Sequence, residues 1–186
     1  MTWIVLLVLL ALVVIYLISA YNGLVRLRNN RENAFANIDV QLKQRYDLVP
    51  QLVATVKGYA DHEKGVLEQV TNARAAAMGA TTINSKIEAE NQLSSALAGL
   101  KVSMEAYPEL KANQNFMRLQ EELADLENKL SSVRRFFNSA TKELNTSVES
   151  FPTNIIAGVF GFRREPMFEI APQERVVYDK APEIKF

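Results

Sequence analysis

The apolar positions of the chain follow two patterns. Residues 3–18 (WIVLLVLLALVVIYLI) are apolar without a break, and Thr2, Ser19, Ala20 and Tyr21 extend the run. About 20 helical residues at a rise of about 1.5 Å cross a hydrocarbon core of about 30 Å, so the run predicts a transmembrane helix. Trp3 and Tyr21 mark its two ends, where aromatic rings favour the interface. A cleaved signal peptide fits less well. No basic residue precedes the run, the run is long, and residues 18–20 make a poor cleavage site. Beyond it the pattern turns periodic. Ile38, Leu42, Tyr46, Val49, Val53, Val56, Ala60, Leu67, Val70 and Ala77 recur at spacings of three, four or seven. That predicts one long helix over 22–78 with a single apolar stripe. Pro50 interrupts its backbone bonding. The helix either kinks there or restarts with Asp47 as cap, and the unbroken phase of the stripe favours a kink.

Residues 79–84 (GATTIN) read as a connection, and Ser85 to Glu88 has the form of a capping box opening the next helix. Leu93, Leu97, Leu100, Met104 and Tyr107 form its stripe, and Pro108 closes it or opens a short turn. The most regular stripe follows: Phe116, Leu119, Leu123, Leu126, Leu130, Val133, Phe137, Ala140, Leu144, Val148 and Phe151, stopped by Pro152. Leu126, Leu130 and Val133 suit a coiled-coil seam, but two other stripes need covering, which favours a bundle core. The expected fold is all-α: a transmembrane anchor (1–21), an antiparallel bundle of three long helices, or four (22–151), and an irregular tail (152–186). The tail either folds back on the bundle, with Phe160, Phe162 and Phe168 in its grooves, or touches the bilayer or a partner helix through 155–162. That segment is too short to span a membrane.

A helix over 35–78 is about 65 Å long, whereas 86–107 returns only about 33 Å. The membrane-proximal stripe Ile38, Leu42, Tyr46 and Val49 is thereby expected to lack full cover. The tail, a split at Pro50 or another subunit must supply it, which makes the stripe a candidate self-association surface.

Charge adds topology. Acidic and basic residues balance at 21 each, so no overall field draws in nucleic acid. Arg26, Arg28 and Arg31 follow the apolar run with no acid among 21–31. The positive-inside rule then puts the N-terminus outside and the helical body in the cytoplasm.

Candidate chemistry is thin. The absence of cysteine excludes disulfides, thiolate metal sites and cysteine nucleophiles. His62 is the single histidine; with Glu63 it could form an acid–base pair, but adjacent helical residues point apart. Tyr46-Asp47 reads as a surface pair, as do Lys57 with Asp61, Asp39 with Lys43 and Lys64 with Glu68. Glu121, Glu122, Asp125 and Glu127 lack calcium-loop spacing and read as helix surface paired with Arg118 and Lys129. No catalytic, cofactor-binding or metal-binding constellation emerges, and no small-molecule substrate.

Ile38-Asp-Val-Gln-Leu-Lys-Gln-Arg45, Asp47-Leu-Val-Pro-Gln-Leu-Val53, Lys57-Gly-Tyr-Ala60, His62-Glu63, Glu105-Ala-Tyr-Pro108, Leu110-Lys-Ala-Asn113, Phe116 with Leu119-Gln120, Phe151-Pro152 and Gly161-Phe162 resemble the signature of the LemA family. The resemblance runs the length of the chain. It implies a bacterial single-pass protein of the cell (inner) membrane with an all-α bundle in the cytoplasm, and it carries no catalytic residues across. Where family members often show Tyr-Asn repeats, this chain has Phe137-Asn138 and Leu144-Asn145, and Met167-Phe168-Glu169 replaces a usual aromatic pair. The expected function is non-enzymatic: a membrane-anchored structural or interaction protein that binds copies of itself or other membrane proteins. The alternatives are an accessory or regulatory subunit of a membrane protease, transporter or sensor, and a membrane-surface enzyme using His62 and Glu63.

Overall fold

The computed structural model describes residues 1–60 and 63–168. Six helices make up the order: α1 (Thr2–Lys57), α2 (Lys64–Gly79), α3 (Ile83–Met104), α4 (Pro108–Lys111), α5 (Gln114–Glu149) and α6 (Thr153–Val159). The fold is all-α. The apolar run and the first bundle helix are a single element, α1, which runs unbroken for 56 residues, or about 84 Å. Residues 1–19 are exposed throughout, so nothing among the described residues covers the apolar run.

Cross-helix contacts set the directions. The Arg74 side chain of α2 reaches the Tyr46 carbonyl, so α2 descends from the tip of α1 towards its middle. Asn84 meets Arg31, Lys86 pairs with Asp39, and Glu90 meets Arg45, so α3 climbs back alongside α1. Asn113 donates to the Tyr59 hydroxyl at the tip (2.8 Å), Glu127 reaches Arg45, and Phe137 packs on Phe35, so α5 descends. The distal half is thus a four-helix, up-down-up-down bundle. The membrane-proximal half is an α1–α5 pair joined by α6 and the extended stretch 162–168.

Several boundaries differ from the sequence pattern. The helix expected over 22–78 is two helices, because the chain reverses after Lys57. The stripe keeps phase across this break because α2 faces the same core from the opposite direction. The capping box lies three residues earlier than the Ser85–Glu88 pattern suggests. Thr82 Oγ1 accepts from the Ser85 amide and Ser85 Oγ from the Thr82 amide, both at 3.1 Å. Pro108 opens α4, and Asn113 caps α5 by accepting from the Phe116 amide (3.1 Å).

The expected gap over the membrane-proximal stripe is not there. Ile38, Leu42, Tyr46 and Val49 are all buried within the chain's own core. The covering element is α5. Its 36 residues, about 54 Å, match the part of α1 beyond Tyr21, and the first turns of α3 lie beside the same stripe, where Lys86 meets Asp39 and Glu90 meets Tyr46. Leu130 lies in the core of the bundle with Val133 packed against it, and Leu126 is buried, which makes this seam a bundle core. Phe151 leaves the stripe and is 81% exposed.

Candidate functional site

Pro50 lies inside α1, exposed on its solvent side, and the helix passes through it without splitting. A proline leaves the carbonyl four residues earlier without its helical donor. That carbonyl belongs to Tyr46, and Arg74 Nε donates to it at 2.7 Å. The defect in α1 is therefore the point at which α2 is tied on.

One turn around the same level is a buried polar cluster joining α1, α3 and α5. Arg45 and Glu90 are 1% and 0% exposed. Arg45 Nη1 donates to Glu90 Oε2 (3.0 Å), both its Nη atoms reach Ser94 Oγ (3.2 Å), and Nη2 pairs with Glu127 Oε1 at 2.7 Å. The Tyr46 hydroxyl donates to the other Glu90 oxygen at 2.6 Å. Arg134 Nη2 stands 3.5 Å from Glu90 Oε2, an ion pair without a hydrogen bond, and its guanidinium lies 4.9 Å over the Phe168 ring. Two arginines against two glutamates leave the cluster neutral, which lets it stay buried. Burial, then the nearby Arg45 charge, lowers the Arg134 pKa. Burial and the bond to Glu90 push the Tyr46 hydroxyl far above its usual value. Tyr46 is thus a core residue and not half of a surface Tyr46-Asp47 pair. Glu127, partly exposed, reaches into this network from the surface, while Arg118 pairs with Glu122 as the spacing predicts (3.6 Å).

A second set of polar contacts holds the stretch after α6. Gly161 has φ +75°, a left-handed conformation that glycine adopts without penalty, and there the chain turns back along α1 and α5. Asn145 accepts from the Glu165 amide (2.8 Å) and donates to its carbonyl (2.9 Å). Asn138 does the same to Phe168 (2.9 and 3.0 Å). The spacing explains the fit: seven helical residues and three extended residues both cover about 10 Å. Phe168 is buried between Phe35 and Phe137, with ring centroids 6.5 and 5.6 Å away. Arg31 closes the clasp, reaching Asn84 (3.0 Å), the Pro166 carbonyl (3.4 Å) and Glu165 (3.4 Å). Burial lowers its pKa, partly offset by Glu165 and Glu32. Arg31 is thus turned inward, whereas Arg26 and Arg28 are exposed, Arg28 lying 5.4 Å over the Phe162 ring.

Among the described residues, the opposite side of the α1–α5 pair carries no such strap. A groove of about 380 Å³ runs along it, lined by Asn30, Asn33, Ala34 and Asn37 of α1 and by Phe136, Ser139, Ala140 and Glu143 of α5. Small residues form its floor, amides and a carboxylate its rim, and Phe136 stands 63% exposed at its distal end.

The anchor-end residues separate. Trp3 is exposed at the far end of α1, while the Tyr21 ring packs against Phe160 at 4.7 Å. Asp39 pairs across helices with Lys86 instead of along α1 with Lys43. Glu63 accepts from the Tyr107 hydroxyl (3.2 Å) between two helix ends; loss of solvent, then the Glu63 charge and this bond, raise the Tyr107 pKa. His62, Asp61 and Glu169 lie outside the described residues. Sequence reasoning missed Arg74, Asn138, Asn145 and the Arg45–Glu90 pair. The Phe-Asn and Leu-Asn dipeptides seven residues apart were a usable signal for two of them.

Comparison with known proteins bears on the same chain. The chain is 25% identical to Protein LemA of Metamycoplasma hominis, over 85% of this chain and 73% of that protein. It is 23% identical to Magnetosome protein MamQ of Magnetospirillum gryphiswaldense, over 84% of this chain and 67% of that protein. Magnetosome protein MamQ 2 of Paramagnetospirillum magneticum is 21% identical with the same coverage. The model of the LemA family matches residues 34–186, which takes in the second half of α1 and every later element. With its exposed apolar run and its helical body, this chain is a membrane-associated protein that belongs to the LemA family.

Proposed function

We propose that the protein is a non-enzymatic scaffold standing on the cytoplasmic face of a bacterial inner membrane, N-terminus outside, and that it pairs with a second copy of itself through the open α1–α5 groove. The observation that carries this reading is the asymmetry of the membrane-proximal pair. One side is strapped by 162–168, and the other offers a small-residue groove with an exposed Phe136. Because α1 is continuous with the apolar run, two copies anchored in one bilayer stand with their grooves side by side. A two-fold axis along the membrane normal lets Phe136 of each copy meet the Ala34 and Ala140 floor of the other. The exposed Arg26 and Arg28 support the orientation. The non-enzymatic part draws on the use made of the charged groups: Arg45, Glu90, Arg134 and Arg31 are spent on joining helices.

The chain has no cysteine, so single cysteines report contacts cleanly. In membranes, Ser139→Cys is expected to give a crosslinked species of twice the chain mass, and Lys101→Cys, exposed on α3, is not. Adding Phe136→Asp is expected to abolish the Ser139 product. Failure of Ser139→Cys to crosslink overturns the pairing. A product of another mass assigns the groove to a different membrane protein, the accessory-subunit reading. A cysteine-reactive, membrane-impermeant label that reaches Lys101→Cys in intact cells overturns the cytoplasmic orientation.

A further inference from the structure

The short helix α6 has two unlike faces. Ile156 and Ala157 are buried against Leu24 and Leu144, with Ala20 and Phe162 packed alongside. The outer face is apolar and exposed among the described residues. Phe151, Ile155 and Val159 repeat every four residues and are 81%, 59% and 76% exposed, and Phe160 is 59% exposed. Scattered apolar residues on a surface are ordinary, but four contiguous ones ask for a partner.

Their depth identifies it. Leu144 packs at the level of Leu24, and α5 runs antiparallel to α1, so Glu149 at its end lies about 7 Å closer to the apolar run. Tyr21, which ends that run, is about 5 Å below Leu24 by the same rise. The end of α5, Phe151 and α6 are therefore level with the last residues of the membrane-length run. The Phe160 ring touches Tyr21 (4.7 Å) and Phe162 stands 6.1 Å from it, so the apolar face of α6 is continuous with the surface of the run itself. Cations follow both apolar segments along the chain. Arg26 and Arg163 are exposed and form no ion pair among the described residues, and Arg164 pairs with Glu149 at 3.2 Å. Apolar side chains at the boundary with free arginines just above them match the acyl-to-phosphate transition of a bilayer.

We propose that α6 is an interfacial foot: Phe151, Ile155, Val159 and Phe160 lie in the headgroup–acyl boundary beside the transmembrane run, with Arg26 and Arg163 against lipid phosphates. The foot fixes the tilt of the α1 rod, because α1 then meets the bilayer at two points. The inference holds for either orientation of the chain and does not require the groove to be occupied.

The test uses the full chain in nanodiscs of phosphatidylethanolamine and phosphatidylglycerol, one copy per disc. An environment-sensitive fluorophore is placed at Val159→Cys, at Ile155→Cys, or at Asp125→Cys as the mid-bundle control. Blue-shifted emission and strong quenching by lipids carrying a nitroxide near the headgroup end of the acyl chain are expected at 155 and 159, and neither at 125. Quenching of 155 and 159 by aqueous iodide to the same extent as 125 overturns the proposal. So does shielding from both quenchers, which would mean that protein and not lipid covers the face.

Discussion

Glu90 is the residue on which three helices converge, since Arg45, Arg134 and Tyr46 all address its carboxylate. Removing its charge leaves two buried guanidinium groups with Glu127 alone. Glu90→Gln is therefore expected to lower stability by about 3–5 kcal/mol in denaturant unfolding, far more than a change at an exposed acid such as Glu121. Tyr46 makes the same cluster sensitive to alkali. Burial and the bond to Glu90 raise its pKa in the folded protein. The unfolded chain's tyrosine ionises near pH ~10, so the stabilisation is complete below that pH and is lost progressively as the pH rises from there towards the higher pKa of the folded state. Tyr46→Phe is expected to cost about 1 kcal/mol at neutral pH and to flatten the fall of melting temperature above pH ~10. None of this was legible along the chain. Arg45 and Glu90 are 45 positions apart, and each sits in an amphipathic helix where a charged residue reads as surface. Only the packing of α3 on α1 turns them inward together.

At the scale of elements, Pro50 and Arg74 form one unit. The proline removes a donor from Tyr46, and the arginine of the next helix supplies another. Arg74→Met is expected to cost about 1–2 kcal/mol in the natural chain. In a Pro50→Ala background the restored helical amide serves the same carbonyl, and the cost should shrink. A double-mutant cycle measures that difference, and additive effects would show that the two residues act separately. Helix identity was plain from the 3.6-residue period, and the all-α fold followed from it. The break after Lys57 was not, because periodicity records which face is apolar and not the direction in which the chain runs. The extended stretch 162–168 shows the converse. It has no helical period, yet it is fixed on the bundle, because Asn138 and Asn145 supply Phe168 and Glu165 with the backbone partners that a neighbouring strand would otherwise provide.

For the whole molecule, the decisive fact is that the membrane-length apolar run and the helical body share α1. A separate anchor joined by a loop would let the bundle tumble. A continuous 56-residue helix instead carries the direction of the apolar run about 54 Å outward, to the tip where Tyr59 meets Asn113. The proposed groove and the proposed foot both depend on this rigidity, one by aligning neighbouring copies and the other by giving the rod a second point of support. Sequence by itself determined the membrane-length run, the helical class and the family, because each is written in local composition, period or ordered motifs. The cover of the membrane-proximal stripe, the inward turn of Arg31, the Glu90 cluster and the bare face of α6 were decided by tertiary structure alone. They depend on the register between helices, and register is set by which distant side chains fill one another's spaces. No local pattern records that.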